Sequence, residues 1–522
     1  MRIGIDVGGT NTDAVLMDGD RVLAEIKSPT SADVTTGILE GLRSLLAQSG
    51  VAPGAIETVM IGTTHFTNAV VEARRLLEVA SVRLGLPATR ALPPLIDWPD
   101  RLRAAVGQHV YLCHGGHEFD GREIAPLDAD ELKRVADDIA AKGLRAVAIS
   151  SVFSPINDDL ERRAEEIIRE TVPDVAISRS AELGRMGLLE RENATIMNAS
   201  LADLAVHITD AFRAALRESG IHAPMYLSQN DGTLMSVEQA ERYPVSTFAS
   251  GPTNSMRGAA LLSGLQDCAV VDIGGTTSDV GMLVNGFPRE AKSTIEVGGV
   301  RTNFRMPDVL PLGIGGGSYV RFGSDPVVGP ESVGYQLTRL GRVFGGDTLT
   351  ATDIAVGGGR AQVGDASRVA DVDPALVASA LASIEARIAE AVDRMKTTSD
   401  PIPVVVVGGG SILLGDTLPG AARLVRPEHH AVANAIGAAI AQVGGEVDQM
   451  FSVGPQLSRD AALERARELA AERAVAAGAV PDTVRIVDQE ELALAYVPGN
   501  AVRIKVKAVG DLQLGRKTVA TR

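Results

Sequence analysis

Aromatic side chains are scarce. Phe, Tyr and Trp make up 3% of the 522 residues, and Trp occurs once. The core must therefore rest on Ala, Val, Leu and Ile. Cysteine is nearly absent, with only Cys113 and Cys268. That excludes a disulfide framework and fits a cytoplasmic setting. Positive charge is also short: 50 Lys and Arg stand against 66 Asp and Glu, a net charge of −16. Such a surface repels nucleic acid and anionic membranes, so neither is expected as a partner. No apolar run is long enough to span a bilayer. The N-terminus reads straight into a strand, with no signal peptide expected.

Glycine is abundant, at 55 residues, so tight turns and close backbone approaches are expected. The length predicts two or three domains. Short apolar runs at Ile3–Val7, Val59–Ile61, Ala146–Ser150, Val175–Ser178, Val270–Ile273 and Val404–Val407 read as strands. Helical spacing recurs over Thr35–Ser49, Thr67–Glu78, Asp128–Lys142, Asp158–Glu170, Ala375–Met395, His429–Val443 and Ala461–Ala477. Asp128 is the expected N-cap of its helix, with Glu131 at N3. Leu188–Arg217 predicts a long helical tract broken near Asn198, and Thr483–Val519 predicts strands. Alternating strands and helices argue an α/β fold.

One stretch occurs twice. Asp6-Val7-Gly8-Gly9-Thr10-Asn11-Thr12-Asp13 matches Asp272-Ile273-Gly274-Gly275-Thr276-Thr277-Ser278-Asp279, with five of eight residues identical. Each copy follows one apolar run and precedes another. The 266-residue spacing suits two similar lobes and not a short solenoid repeat.

Neither copy is a Rossmann fingerprint, which needs G-x-G-x-x-G entering a helix. Neither is a P-loop, because no Lys follows at the required place. Glycines can still point successive backbone N–H groups into an anion-binding concavity. Thr10, Asn11, Thr276 and Thr277 add short polar donors. Asp6 and Asp272 at the strand ends repel bare phosphate and make sense with Mg²⁺ between. One of them can instead orient a water or hydroxyl nucleophile. The plain alternative is a pair of capped Gly-Thr hairpins. Gly408-Gly409-Gly410 ends a buried strand and permits close approach of a base and ribose. A strand-to-helix turn needing room is the simpler alternative there.

Further stretches are IGTTHFTNAVVE at 61–72, LLERENATIMNASL at 188–201, FASGPTNSMRGA at 248–259, LGIGGGSYVRF at 312–322, VGPESVG at 328–334 and LTATDIAVGGG at 349–359. VVVVGGGS at 404–411 and HHAVANAIGAAIA at 429–441 complete the set. Together with the paired loops they resemble the hydantoinase A / 5-oxoprolinase family of ATP-dependent amide-ring hydrolases. That family lies within the actin, sugar-kinase and heat-shock-protein ATPase superfamily. The resemblance covers nearly the whole chain, which is shorter than the family's usual length.

The resemblance implies two duplicated actin-like (ribonuclease-H-like) lobes around a nucleotide cleft, followed by a small C-terminal α+β segment. The implied ranges are 1–190, 191–445 and 446–522. It implies ATP and Mg²⁺ as cofactors, a cyclic amide such as a hydantoin, 5-oxoproline or related lactam as substrate, and a second, hydantoinase-B-like subunit in an oligomer. Phosphorylation of the amide oxygen would make it a leaving group and let water open the ring. Asp6, Thr10 and Asp272 are the expected catalytic residues, with Asp6 and Asp272 toward Mg²⁺. Gly8, Gly9, Asn11, Gly274, Gly275, Thr276 and Thr277 would hold phosphate, and Gly408, Gly409 and Gly410 would lie under adenosine. Asp13 and Asp279 would hold the turns. A small-molecule kinase and an ATP-driven actin-like or chaperone-like binding module are the alternatives.

Cys113, His114 and His117 concentrate soft and borderline ligands. With His65 folded onto them they form a candidate Zn²⁺ or transition-metal site; the alternative is a polar loop. His429 and His430 read as capping or surface residues. Arg257 is a candidate for phosphate or carboxylate contact, or else a surface arginine. Gly313–Ser318 either lines the cleft or closes a turn.

Overall fold

The computed structural model describes residues 1–9, 11–29, 34–291, 295–303, 305–323, 326–454, 457–494 and 501–513. Thr10 and the end of the expected strand region beyond residue 513 lie outside the described residues.

The first lobe starts with β1 (Arg2–Val7), β2 (Asn11–Asp18), β3 (Arg21–Pro29) and β4 (Thr58–Thr63). β1 and β2 form an antiparallel hairpin, β3 adds to β2, and β4 pairs parallel to β1. The second lobe repeats this plan with β11 (Cys268–Ile273), β12 (Ser278–Val284), β13 (Phe287–Pro288) and β19 (Ile402–Val407). β11 and β12 form the hairpin, β13 adds to β12, and β19 pairs parallel to β11. The fold is therefore two duplicated actin-like α/β lobes around a cleft. Val404–Val407 are fully buried, as a central parallel strand requires.

The first sheet draws on all three of the expected ranges. β9 (Met225–Ser228) and β10 (Thr233–Ser236) extend it beyond β4. β21 (Gln442–Ser452), β23 (Ala501–Gly510) and β22 (Arg485–Ala493) then complete a nine-stranded sheet. The Arg459–Ala476 helix lies on this extension through Ala462, Ala466, Ala470 and Ala474. Their i, i+4 spacing puts four small side chains on one stripe. A Cβ on Gly445 would fall 2.2 Å from the Ala470 carbonyl oxygen, so the strand passes beneath the helix backbone.

A separate four-stranded parallel sheet holds β5 (Val79–Leu86), β6 (His109–His114), β7 (Ala146–Ser151) and β8 (Ala176–Arg179), in the order β6-β5-β7-β8. Its Ala129–Lys142 helix is capped as expected, with Asp128 Oδ1 accepting from the Glu131 N–H at 3.0 Å. The long tract is two helices, Leu188–Ser200 and Ala202–Glu218, divided at Leu201.

Two helices cross between the lobes, Ser250–Ser263 and Ala433–Ala439. They meet backbone to backbone. A Cβ on Gly258 would lie 1.9 Å from the Ala433 oxygen, and one on Gly437 1.8 Å from the Asn254 oxygen. The expected 429–443 helix is thus shorter than its apolar spacing suggests. His430–Val432 is a single tight turn before it, and Gln442 already belongs to β21.

Candidate active site

The duplicated hairpins agree atom by atom. Asp6 stands opposite Asp13, and Asp272 opposite Asp279. The Gly8 N–H donates to the Asn11 carbonyl at 3.0 Å, and the Gly274 N–H to the Thr277 carbonyl at 2.9 Å. A second correspondence lies on the neighbouring parallel strands. A Cβ on Gly62, opposite Asp6, would fall 2.5 Å from Asp6 Oδ1; one on Gly408 would fall 2.4 Å from Asp272 Oδ1. Each strand-end aspartate therefore needs a glycine beside it.

Both hairpins open on one cavity of about 400 Å³. Asp6, Gly8, Gly9, Asn11 and Asp13 line it from the first lobe. Asp272, Gly274, Gly275, Thr276 and Thr277 line it from the second, and Gly408, Gly409 and Gly410 close it. Larger cavities of about 630 and 560 Å³ contain no residue of either glycine turn.

The glycine triplet is fixed by packing as well as by facing the cavity. Gly408 has φ +85°, and the Gly410 N–H donates to the Ile273 carbonyl at 2.7 Å. The 313–318 loop lies against the second hairpin: the Gly316 and Gly317 N–H groups donate to the Gly274 and Gly275 carbonyls at 3.0 and 2.7 Å. Of that loop, Gly316 reaches the cavity.

Several cavity residues carried no motif of their own. Lys27 Nζ reaches both Asp13 carboxylate oxygens at 2.8 Å and the Ala431 carbonyl at 3.1 Å. Asn434 Nδ2 donates to Asp6 Oδ2 and Asp13 Oδ2, each at 2.9 Å. Ser255 Oγ donates to Asp272 Oδ2 at 2.5 Å. Thr352 and Leu337 also line the space. The signal for Lys27 was its register with Asp13 across β2 and β3, visible only once the strands pair.

Burial pushes the Asp6 carboxyl up to about 7, with the Asp13 charge adding to it. Burial raises Asp13 and Asp272 also. Asp279 is pushed up to about 7, first by burial and then by Asp272. Three carboxylates thus line the cavity, with Lys27 the one cation among its described lining residues. An oxygen donor set with excess negative charge suits a hard divalent cation accompanied by phosphate.

The candidate transition-metal set is not assembled. His65 begins the His65–Glu72 helix with Nδ1 2.6 Å from Thr63 Oγ1. Burial, with Arg75 adding, lowers its pKa to about 4. Cys113 packs into the four-stranded-sheet core, where burial pushes its thiol up to about 12. His114 faces outward beside Glu131, and buried His117 Nε2 lies 3.3 Å from Asn157 Nδ2. Side chains on successive strand positions face opposite ways, which separates Cys113 from His114. Among the described residues no group of three or more His, Cys, Asp or Glu is placed to hold a metal ion.

Arg257 lies away from the cavity: its Nη1 donates to the Gly286 carbonyl at 2.8 Å, and its guanidinium sits 4.0 Å from the Phe287 ring centre. His429 Nδ1 is 2.6 Å from Glu25 Oε2, and His430 Nδ1 is 3.0 Å from the Pro427 carbonyl. No helix among the described residues is long and apolar enough to cross a membrane.

Two like lobes, each offering an aspartate-bearing Gly-Gly hairpin to one cleft, define an actin-like two-lobed protein. Residues 2–172 match the hydantoinase/oxoprolinase N-terminal region, and residues 191–367 match hydantoinase/oxoprolinase. The chain belongs to the hydantoinase/oxoprolinase family. It is 28% identical over 380 residues to the caprolactamase subunit alpha of Pseudomonas jessenii, covering 67% of this chain and 53% of that one. It is 28% identical over 395 residues to the acetophenone carboxylase gamma subunit of Aromatoleum aromaticum, covering 68% and 52%. The chain thus spans about half the length of the curated relatives it matches. Among solved structures, the ATP-dependent caprolactamase from Pseudomonas jessenii superposes with TM-score 0.78 at 19% identity, over 98% of this chain and 88% of that one. Nucleotide-free acetone carboxylase gives 0.68 at 19% identity, over 99% and 88%. At this identity the structural likeness concerns the fold.

Proposed function

We propose that the cavity binds ATP with Mg²⁺, and that the chain is the nucleotide-handling subunit of an ATP-dependent enzyme acting on a cyclic amide. The observation that carries this reading is the meeting of both matched hairpins on one cavity, Asp6 and Asp272 included. Caprolactamase among the relatives supports a lactam, and the carboxylase subunits widen the class to carbonyl substrates. A lactam and a ketone share a carbonyl oxygen, so transfer of a phosphoryl group to that oxygen is the common step, the ketone giving up an α-proton as it becomes an enol phosphate. For a hydantoin, 5-oxoproline or related lactam, phosphorylation activates the carbonyl carbon. Water adds to it, the protonated ring nitrogen leaves so that the C–N bond breaks and the ring opens as an acyl phosphate, and a second water releases phosphate and the carboxylate.

The chain's own residues supply most of the chemistry. The two glycine hairpins hold phosphate from opposite sides, and Thr276 and Thr277 offer hydroxyl donors. Closing the lobes excludes water and aligns the acceptor oxygen with the terminal phosphate. Asp6 and Asp272 would hold Mg²⁺, which supplies neutralisation of the phosphate charge. Asn434 and Lys27 keep Asp6 and Asp13 in place. Relatives named as subunits support a second, separate chain that completes the reaction.

The test is ADP and phosphate release from Mg-ATP, with and without hydantoins, 5-oxoproline and other lactams, by the chain alone and with a co-purified partner. Lactam-dependent ADP release coupled to ring opening is expected. A stable phosphorylated sugar or acid would make the chain a small-molecule kinase. Slow turnover indifferent to every small substrate would make it a binding module.

A further inference from the structure

Three buried polar atoms have no hydrogen-bond partner in the structure: Oδ1 of the cavity-lining Asp6 and, beneath it, both side-chain polar atoms of Asn254, Oδ1 and Nδ2. Asn254 is wholly buried. An ideal Cβ on Gly62 would fall 2.5 Å from Asp6 Oδ1 and 2.5 Å from Asn254 Nδ2, so the carboxylate oxygen and the amide nitrogen converge over the same glycine. Leaving a buried polar group unpaired is costly, because its desolvation is not offset. Three such atoms in one place mark a site that an additional hydrogen-bonding group completes.

The neighbouring residue shows what kind of group. Ser255 follows Asn254 on the same helix, and its hydroxyl bonds directly to Asp272 Oδ2. One helix thus presents consecutive side chains to the aspartates of both hairpins. Ser255 closes on its aspartate, whereas Asn254 stops short of bonding Asp6 Oδ1. The other Asp6 oxygen is already fixed by Asn434 Nδ2 at 2.9 Å. An amide oxygen and a carboxylate oxygen can accept the two hydrogens of one water molecule, and an amide N–H can donate to its oxygen.

We propose that Asn254 is a positioning residue for Asp6, holding Asp6 Oδ1 through one buried water above Gly62. The two oxygens of a single carboxylate are then gripped by two asparagines, Asn434 directly and Asn254 through water. The Ser250–Ser263 and Ala433–Ala439 helices that carry them are the pair crossing between the lobes, so lobe position is coupled to the orientation of Asp6. This role rests on the proposed function only in its kinetic consequence.

A crystal structure of the full chain at a resolution that shows ordered water tests the site without any turnover. One water bonded to Asp6 Oδ1 and to the Asn254 side chain is the expected result. A direct Asn254–Asp6 bond, an empty space, or a cation in place of the water would overturn the proposal. Asn254→Leu and Asn254→Ser test the consequence through ATP turnover. Asn254→Leu lowers kcat on the order of tenfold, as loss of an outer partner commonly does, with KM for ATP nearly unchanged. Asn254→Ser, which keeps a group able to hold water, recovers part of the loss. A kcat unaltered in Asn254→Leu, or a change confined to KM, contradicts the positioning role. If the unaltered chain turns over no ATP with any lactam or partner, the proposed function fails, and the water still decides the site.

Discussion

In the first hairpin, Asp13 faces Lys27 across the β2–β3 pair and shares Asn434 with Asp6. In the second, the matching Asp279 faces Pro311, and among the described residues no cation stands against it. The turns, the register and the adjoining glycines are the same in both lobes, but the charge compensation is not. The first hairpin is closed by its own lysine and asparagine. The second has no such cation among the described residues: burial and Asp272 push its Asp279 carboxyl up to about 7, and Ser255 is the hydrogen-bond donor to Asp272. Geometry has been retained in the duplication while electrostatics has been divided, leaving one jaw braced and the other exposed to whatever enters the cleft.

The strongest way to break this comparison is to remove the strand-end charges. Asp272→Asn is expected to lower ATP turnover by about 10²-fold or more while nucleotide binding is partly kept. Asp6→Asn is expected to do the same. Steady-state turnover alongside calorimetric nucleotide binding measures both, and unchanged turnover in either would remove that residue from the chemistry.

Asp13 and Asp279 should respond in the same direction but to different extents. Burial, with the Asp272 charge adding, pushes the Asp279 carboxyl from 3.8 up to about 7. Its folded form holds a proton that the unfolded form has lost, so stability falls as pH rises from about 4 to about 7. Asp279→Asn should flatten that fall and raise unfolding free energy at pH 8 by on the order of 1–4 kcal/mol, with little gain at pH 4. Asp13 is raised by burial too, but Lys27 and Asn434 oppose that rise, so Asp13→Asn should gain less at pH 8 than Asp279→Asn. Urea unfolding at the two pH values decides it. An equal or larger gain from Asp13→Asn would contradict the unequal compensation.

A smaller contrast lies in the third loop. Gly408→Ala places a Cβ 2.4 Å from Asp272 Oδ1 at φ +85° and should cost roughly 1–3 kcal/mol or more. At Gly409 the nearest atom is Lys27 Cε at 3.4 Å, so Gly409→Ala should change stability by about 0.5 kcal/mol or less. Denaturant midpoints for the two variants give the comparison.

The repeated octapeptide made the duplication legible, because a glycine turn with flanking aspartates is a local feature of the chain. The four-valine strand and the capped Ala129–Lys142 helix were legible for the same reason. Lys27 and Asn434 were not. Their partners lie on other elements, and the distance from Asn434 to Asp6 is 428 residues along the chain. The C-terminal strands read correctly as strands, but their union with the sheet begun by β1 depends on pairing that no periodicity reveals. The 429–443 helix was overestimated because the small residues that bring two helix backbones together also suit a longer helix. The Cys113 and His117 cluster misled through adjacency in sequence, since a strand sends neighbouring side chains to opposite faces.

The central claim is that both hairpins close on one polyphosphate. A crystal structure with Mg²⁺ and a non-hydrolysable ATP analogue tests it most directly. The account predicts phosphates between the Gly8–Asn11 turn and the Gly274–Thr277 turn, with adenosine toward Gly408–Gly410. Phosphates bound to one hairpin alone, or a nucleotide seated in another cavity, would contradict it.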